Sequence, residues 1–269
     1  MKKKNSRGII MFAHNNDEID YFKLAVVNSF LIQKHLGIKD ITVVTDSHSL
    51  AHAEKELGKA KIKKAINNIV ISEKDRNFKR ANIRIYKDTS HTAKNLSFYN
   101  FNRCEAYDIS PYDETILLDA DYLVLSDTLN QCWDHNNELM MNWKWQDVMY
   151  ERKFENLDRL NDLGITMYWA TVVYFRKTPY VESFFNCVKH VKDNSQFYRD
   201  LYKWKGRLYR NDYSFSVAAH TMSGFVDKGV PQLPTTLYKT FDTDDVHSAV
   251  DEETLLLYLE KPRSPGDFM

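Results

Sequence analysis

The chain has 269 residues, 43% of them hydrophobic and 28% charged, with 37 basic and 37 acidic side chains in exact balance. That length suits one large α/β domain or two small ones, and zero formal net charge argues against bulk electrostatic capture of nucleic acid or an anionic membrane, leaving only local basic patches. Cys104, Cys132 and Cys187 form neither a metal-binding spacing nor a disulfide framework, and the apolar stretch Ile9 to Ala13 after the basic start is too short for a signal-peptide core, so a reducing, cytoplasmic setting is expected, without a membrane partner.

Gly8 to Ala13 reads as a first strand, ended by His14-Asn15-Asn16. A helix is expected from Asp17 to Gly37. Asn15 is its cap, Asp17 and Glu18 suit the positive first turn, and Gly37 is a natural stop. Ile41 to Asp46 reads as a second strand, Ser47 to Leu57 as a short helix and Asn68 to Ser72 as a third strand. This alternation predicts a parallel sheet with right-handed crossovers. The polar, basic span Glu73 to Asn95, with Arg84 and Lys94, reads as a solvated loop or a lid facing phosphates. Leu96 to Tyr107 reads as a helix, and Ser110 to Asp113 as a turn.

The stretch Thr115 to Asp127, TILLDADYLVLSD, organises the rest. An apolar run without alternation reads as a buried strand of a mostly parallel sheet, and it leads straight into Asp119-Ala120-Asp121. Ligands bind at the carboxyl ends of strands in open α/β sheets. Two residues apart on one strand, Asp119 and Asp121 would point to the same side. Two hard oxygen donors there suit Mg²⁺ or Mn²⁺, which can also hold a diphosphate. Tyr122 to Leu125 is a second apolar, strand-like run.

Further on, a short helix is expected to about Trp133, then strands at Glu138 to Trp145 and Thr166 to Lys177. Pro179 opens a helix to about Lys192, and another is expected from Asp212 to His220 after the basic, aromatic run Tyr198 to Arg210. Thr235 to Phe241 and Leu255 to Leu259 are short strand-like runs. With no repeat and no Gly/Pro linker, residues 1–269 read as a single domain. The first half, about residues 8–130, is expected to be the nucleotide-binding half, with about 131–269 as the acceptor-side half.

Pro111 to Asp127, PYDETILLDADYLVLSD, resembles the strand and metal motif of GT-A glycosyltransferases of the glycogenin-like kind and their bacterial and bacteriophage relatives. The resemblance implies a Rossmann-like sheet flanked by helices, and a metal-dependent hexosyl- or pentosyltransferase using a nucleoside-diphosphate sugar, read as a UDP-sugar. It implies Mn²⁺ or Mg²⁺ on Asp119 and Asp121, with His247 in TDDVHS as a third ligand. Ala13-His14-Asn15 would hold base and ribose, with Ala120 at the same donor site. Arg103, sixteen residues ahead of Asp119, and Arg84 would meet the donor's phosphates, and Asp212 would be the carboxylate on the sugar side. The Gly and Lys-Pro-Trp continuation of the family's His motif is absent, although Lys261-Pro262 is present. The acceptor is a glycan, a protein or, for a phage protein in host cytoplasm, a modified DNA base.

Three other readings compete, one of them a nucleotidyltransferase that makes a sugar nucleotide, whose Gly-rich phosphate loop after the first strand is missing where His14-Asn15-Asn16 stands. A haloacid-dehalogenase-type phosphatase also uses an apolar strand and Asp-x-Asp, but on its first strand. A catalytically inactive homologue would bind a nucleotide sugar without turnover. Trp143, Trp145 and Trp169 read as packing or as stacking surfaces for a sugar.

Overall fold

β1 (Arg7–Phe12), β2 (Ile41–Thr45) and β3 (Asn68–Ile71) are the β-branched, apolar runs of the sequence, and they lie side by side in parallel. The protein is seen here as a computed structural model that describes residues 6–16, 19–73, 80–85, 93–147, 159–204, 209–234, 237–239, 245–249 and 255–258. At 80–85, 93–97, 146–147, 238–239, 245–249 and 255–258 only the backbone is described.

The crossovers carry α1 (Tyr21–Leu36), α2 (Ser47–Leu57) and α3 (Lys59–Ala65). α1 is apolar on most of its surface, with Phe22, Leu24, Val26 and Ile32 in the core. It starts later than expected. Asp20, not Asn15, caps it by accepting from Lys23 N, and Gly37 ends it in the left-handed region at φ 69°. α2 keeps its expected bounds because Asp46 accepts from His48 N and Ser49 N.

Where it is described, the span read as a loop running into a helix is an antiparallel strand pair. β4 (Arg80–Ile85) pairs antiparallel with β5 (Ala93–Phe98). A 3-10 turn at 102–105 and the short α4 (Ala106–Ile109) follow, so the helix expected from Leu96 begins instead as strand. Non-local backbone pairing has overridden the local periodicity. β6 (Glu114–Asp119) then enters the sheet against β1. A 3-10 segment at 128–134 leads to β7 (Leu139–Asn142) and β8 (Trp145–Asp147), which split the strand expected from Glu138 to Trp145.

β9 (Trp169–Arg176) runs antiparallel between β6 and β7. The sheet order is β3-β2-β1-β6-β9-β7. α5 (Pro179–Asp193), α6 (Ser195–Tyr202) and α7 (Asn211–Met222) follow. β10 (Leu237–Lys239) pairs with β8, and β11 (Asp245–Ala249) with β12 (Leu255–Tyr258). The result is an α/β fold with a mostly parallel central sheet flanked by helices. Among the described residues no helix is long and apolar enough to cross a membrane.

Candidate functional site

The order of strands locates the site. From β1 in the sheet's interior the chain builds outward through β2 and β3, and returns to lay β6 on the other flank of β1. The crevice beyond the carboxyl ends of β1 and β6 is therefore the switch point where ligands bind in open α/β sheets. Phe12 and Asp119 are register partners. Ala13-His14-Asn15 and Asp119-Ala120-Asp121 thus leave the sheet side by side.

On the β1 side, Ala13 O accepts from Thr45 Oγ1 at 2.7 Å. The His14 backbone N–H donates to Asn100 Oδ1 at 2.7 Å, while the buried ring lies between Asn100 Oδ1 (Nδ1, 3.0 Å) and Ser72 O (Nε2, 2.8 Å). Asn15 N donates to Ser49 Oγ, and Asn15 Oδ1 accepts from Phe22 N at 2.9 Å. Both side chains are thereby engaged in fixing the turn, together with most of its backbone N–H and C=O groups.

On the β6 side, the strand ends at Asp119, and Ala120 and Asp121 already lie in a turn closed by Tyr122 N donating to Asp119 O at 3.1 Å. The two carboxylates therefore do not share a strand face as the spacing suggested. Nor does Tyr122 to Leu125 continue as a strand. Its hydrogen bonds go to a side chain: the fully buried Asn28 of α1 donates to Tyr122 O at 2.8 Å and accepts from Val124 N at 3.0 Å. An amide side chain can pair with backbone as another strand would, so Asn28 pins the segment that follows Asp121. Asn28→Leu strands a buried C=O and N–H and is expected to cost about 1–3 kcal/mol in denaturant unfolding. An unchanged midpoint would mean that water replaces the amide.

Arg103, from the 3-10 turn, is 3% exposed and donates through one terminal nitrogen to Asp119 Oδ1 at 2.5 Å and through the other to Thr171 O at 3.4 Å. Its Nε has no acceptor among the described residues. The guanidinium faces inward, onto Asp119.

Antiparallel pairing brings the amino end of β9 beside the carboxyl end of β6. There Ala170 N donates to Asp212 Oδ1 at 2.9 Å, so the first turn of α7 is tied to the strand next to Asp119. Asp212 Oδ2 accepts from Arg210 Nε at 3.0 Å and is ion-paired with a terminal nitrogen of the same guanidinium at 2.7 Å. The Arg210 guanidinium lies 5.5 Å from the centre of the Trp169 ring and 6.0 Å from that of Tyr213. Burial works against its charge, but Asp212, Tyr213 and Asp119 outweigh that and hold its pKa above the ordinary value. Asp119 and Asp212 thus act on one guanidinium.

The other residues singled out in the sequence lie elsewhere or outside the described residues. Arg84 is opposite Lys94 on the β4–β5 strand pair, with both side chains outside the described ones. His247 is where the β11–β12 register shifts between Val246 and Ser248, and its side chain is likewise not described. Trp145 and Trp169 are buried and meet edge to face at 5.8 Å, so both pack rather than present a stacking surface. Half-buried Trp143 carries Lys144 and Lys228 over its ring.

Among the described residues no three His, Cys, Asp or Glu side chains gather as a metal site. Asp119 and Asp121 nonetheless supply the donor chemistry that Mg²⁺ or Mn²⁺ takes, since such ions are held by one or two carboxylates with substrate phosphates and water completing the shell. Sequence reasoning passed over Asn28 and Asn100, and met Arg210 only as the end of the basic, aromatic run from Tyr198.

No family model matches the chain, and no curated protein matches it. Its fold is similar to that of several solved glycosyltransferases. The galactosyltransferase LgtC, in complex with donor and acceptor sugar analogs, is 17% identical with a TM-score of 0.49, covering 84% of this chain and 72% of that one. The glycosyltransferase GlyE of Streptococcus pneumoniae TIGR4 is 10% identical with a TM-score of 0.45, over 89% of this chain and 46% of that one. Mouse xyloside xylosyltransferase 1, in its apo form, is 13% identical with a TM-score of 0.44, over 88% and 85%. At these identities the likeness is one of fold.

Proposed function

We propose that the protein transfers a sugar from a nucleoside diphosphate sugar, read as a UDP-sugar, to an acceptor hydroxyl, with Mn²⁺ or Mg²⁺ held at Asp119 and Asp121. One observation carries this reading: the acidic pair and Ala13-His14-Asn15 leave neighbouring strands together at the sheet's switch point. A bound divalent ion would stabilise the negative charge that grows on the departing diphosphate.

The chain's own residues supply the rest. The turn at Ala13-His14-Asn15, stiffened by Asn100 and Ser49, stands beside the acid pair, where base and ribose would be held. Arg103 fixes the orientation of Asp119. Asp212, held by Ala170 N, is the carboxylate that faces the oxocarbenium-like sugar or takes the acceptor's proton. Glycans, proteins and hydroxylated DNA bases all offer the acceptor hydroxyl. A phosphatase of the haloacid-dehalogenase type would carry its acid pair on the first strand, which here ends in Ala13-His14-Asn15.

The test is a survey of nucleotide sugars by nucleoside diphosphate release. Turnover of a UDP-sugar in Mn²⁺ is expected to fall by about 100-fold or more in excess chelator. Undiminished turnover in chelator would remove the metal from the reading.

A further inference from the structure

We propose that Arg210 is a diphosphate-contacting residue of this site, gripping the donor's phosphate oxygens from the rim; the assignment rests on the nucleotide-sugar reading above. The two arginines at the crevice have different surroundings. Arg103 is 3% exposed, with its terminal nitrogens on Asp119 and Thr171 O, so it faces into the protein. Arg210 is 35% exposed; its Nε donates to Asp212 Oδ2 at 3.0 Å, and one terminal nitrogen lies 2.7 Å from the same oxygen as an ion pair. An arginine has five N–H donors. Those that Asp212 does not take meet no acceptor among the described residues.

The orientation is fixed as well. The guanidinium lies against Trp169 and Tyr213, Tyr213 is stacked on Trp204 at 5.0 Å, and Trp169 is braced by Trp145. A guanidinium held against aromatic faces and anchored at one edge has its other N–H groups preset for an anion. Phosphate oxygens match that planar fork, and charge-assisted contacts of this kind are among the stronger hydrogen bonds. Arg210 immediately precedes α7, and its ion pair with Asp212 holds it at that helix's amino end. One residue pair thus spans the donor, with Asp212 at the sugar and Arg210 at the phosphates.

The test compares UDP with uridine, by calorimetry in Mn²⁺, for wild type, Arg210→Gln and Arg210→Lys. A charge-assisted contact is worth about 10- to 100-fold in affinity. Arg210→Gln is expected to weaken UDP by that factor and to leave uridine within about twofold. Arg210→Lys, which keeps the charge beside Asp212 and serves if the Gln variant fails to fold, is expected to lose part of the UDP affinity and none of the uridine affinity. Equal UDP affinity in both variants and wild type overturns the assignment alone. Parallel loss of UDP and uridine also overturns it, since Arg210 would then only support the pocket. A wild-type protein that binds no UDP overturns the donor reading together with it.

Discussion

Asp121→Asn is expected to abolish sugar-nucleotide turnover with little change in stability, whereas Asp119→Asn is expected to lose both. The two acids differ in what lies behind them. Asp121 is exposed on a turn, so its replacement is expected to shift unfolding by less than about 1 kcal/mol. Asp119 is the anion for Arg103, a guanidinium 3% exposed, and the Asn variant leaves that charge facing a neutral amide. A fully buried pair broken this way costs about 3–5 kcal/mol. Asp119 is a third exposed and water can reach the gap, so about 1.5–3 kcal/mol is expected. Loss of either carboxylate from a site that stabilises a departing diphosphate is expected to lower turnover about 10²- to 10³-fold. Initial rates of UDP release and denaturant midpoints, measured on both variants, separate the two effects. The stability cost of Asp119→Asn should shrink in an Arg103→Met background, because the stranded charge is gone. Retention of more than about a tenth of the turnover in both Asn variants would leave the acid pair a structural turn.

The same contrast explains what was legible in the sequence. β2, α2, β3, β6, α5 and α7 announce themselves because their apolar periodicity and their caps, such as Asp46 and Thr178, are local. The acid pair was legible for the same reason, as a short motif at the end of an apolar run. What lay hidden depends on partners far along the chain. Leu96 to Phe98 joins a strand because Arg80 to Asn82 lies opposite. Tyr122 to Val124 is no strand because Asn28, ninety-four residues before Tyr122, takes its hydrogen bonds. The resemblance assigns Arg103 to the donor's phosphates, and only the approach of β9 reveals that its second terminal nitrogen is held by Thr171 O. Asn15 reads as a cap, and it does accept a backbone N–H from α1, but at Phe22 rather than at a helix start of its own.

The other large effect is expected at the opposite end of β6, far from the crevice. Glu114 begins the strand and is 4% exposed. Tyr174 OH donates to its Oε2 at 2.8 Å, Arg176 Nε donates to Tyr174 OH at 2.8 Å, and Arg7 approaches Oε1 at 3.6 Å. This carboxylate joins three strands, β1 through Arg7, β6 itself and β9 through Tyr174 and Arg176. Glu114→Leu removes the anion and leaves a buried phenol with one acceptor fewer and two guanidinium groups facing carbon. Arg7 is 41% exposed and recovers water, so the cost falls mainly on Tyr174 and Arg176, and about 2–4 kcal/mol is expected. The effect also has a pH signature. Burial first, then the hydrogen bond to Glu114, raises the Tyr174 pKa well above its ordinary value of 10. The folded protein therefore keeps this proton where the unfolded chain releases it, and stability that is fully present below pH 10 declines as pH rises beyond it. Glu114→Gln removes one of the causes of that rise, so its alkaline decline should be shallower than that of wild type even though its midpoint at pH 7 is lower. Denaturant midpoints at pH 7 and above pH 10 read both quantities, and UDP affinity of the folded variants, expected to match wild type, shows that the damage stays at this end of the sheet. A Glu114→Leu protein as stable as wild type would mean that the two arginines and Tyr174 are satisfied by water, and that the three strands are joined by their backbone alone.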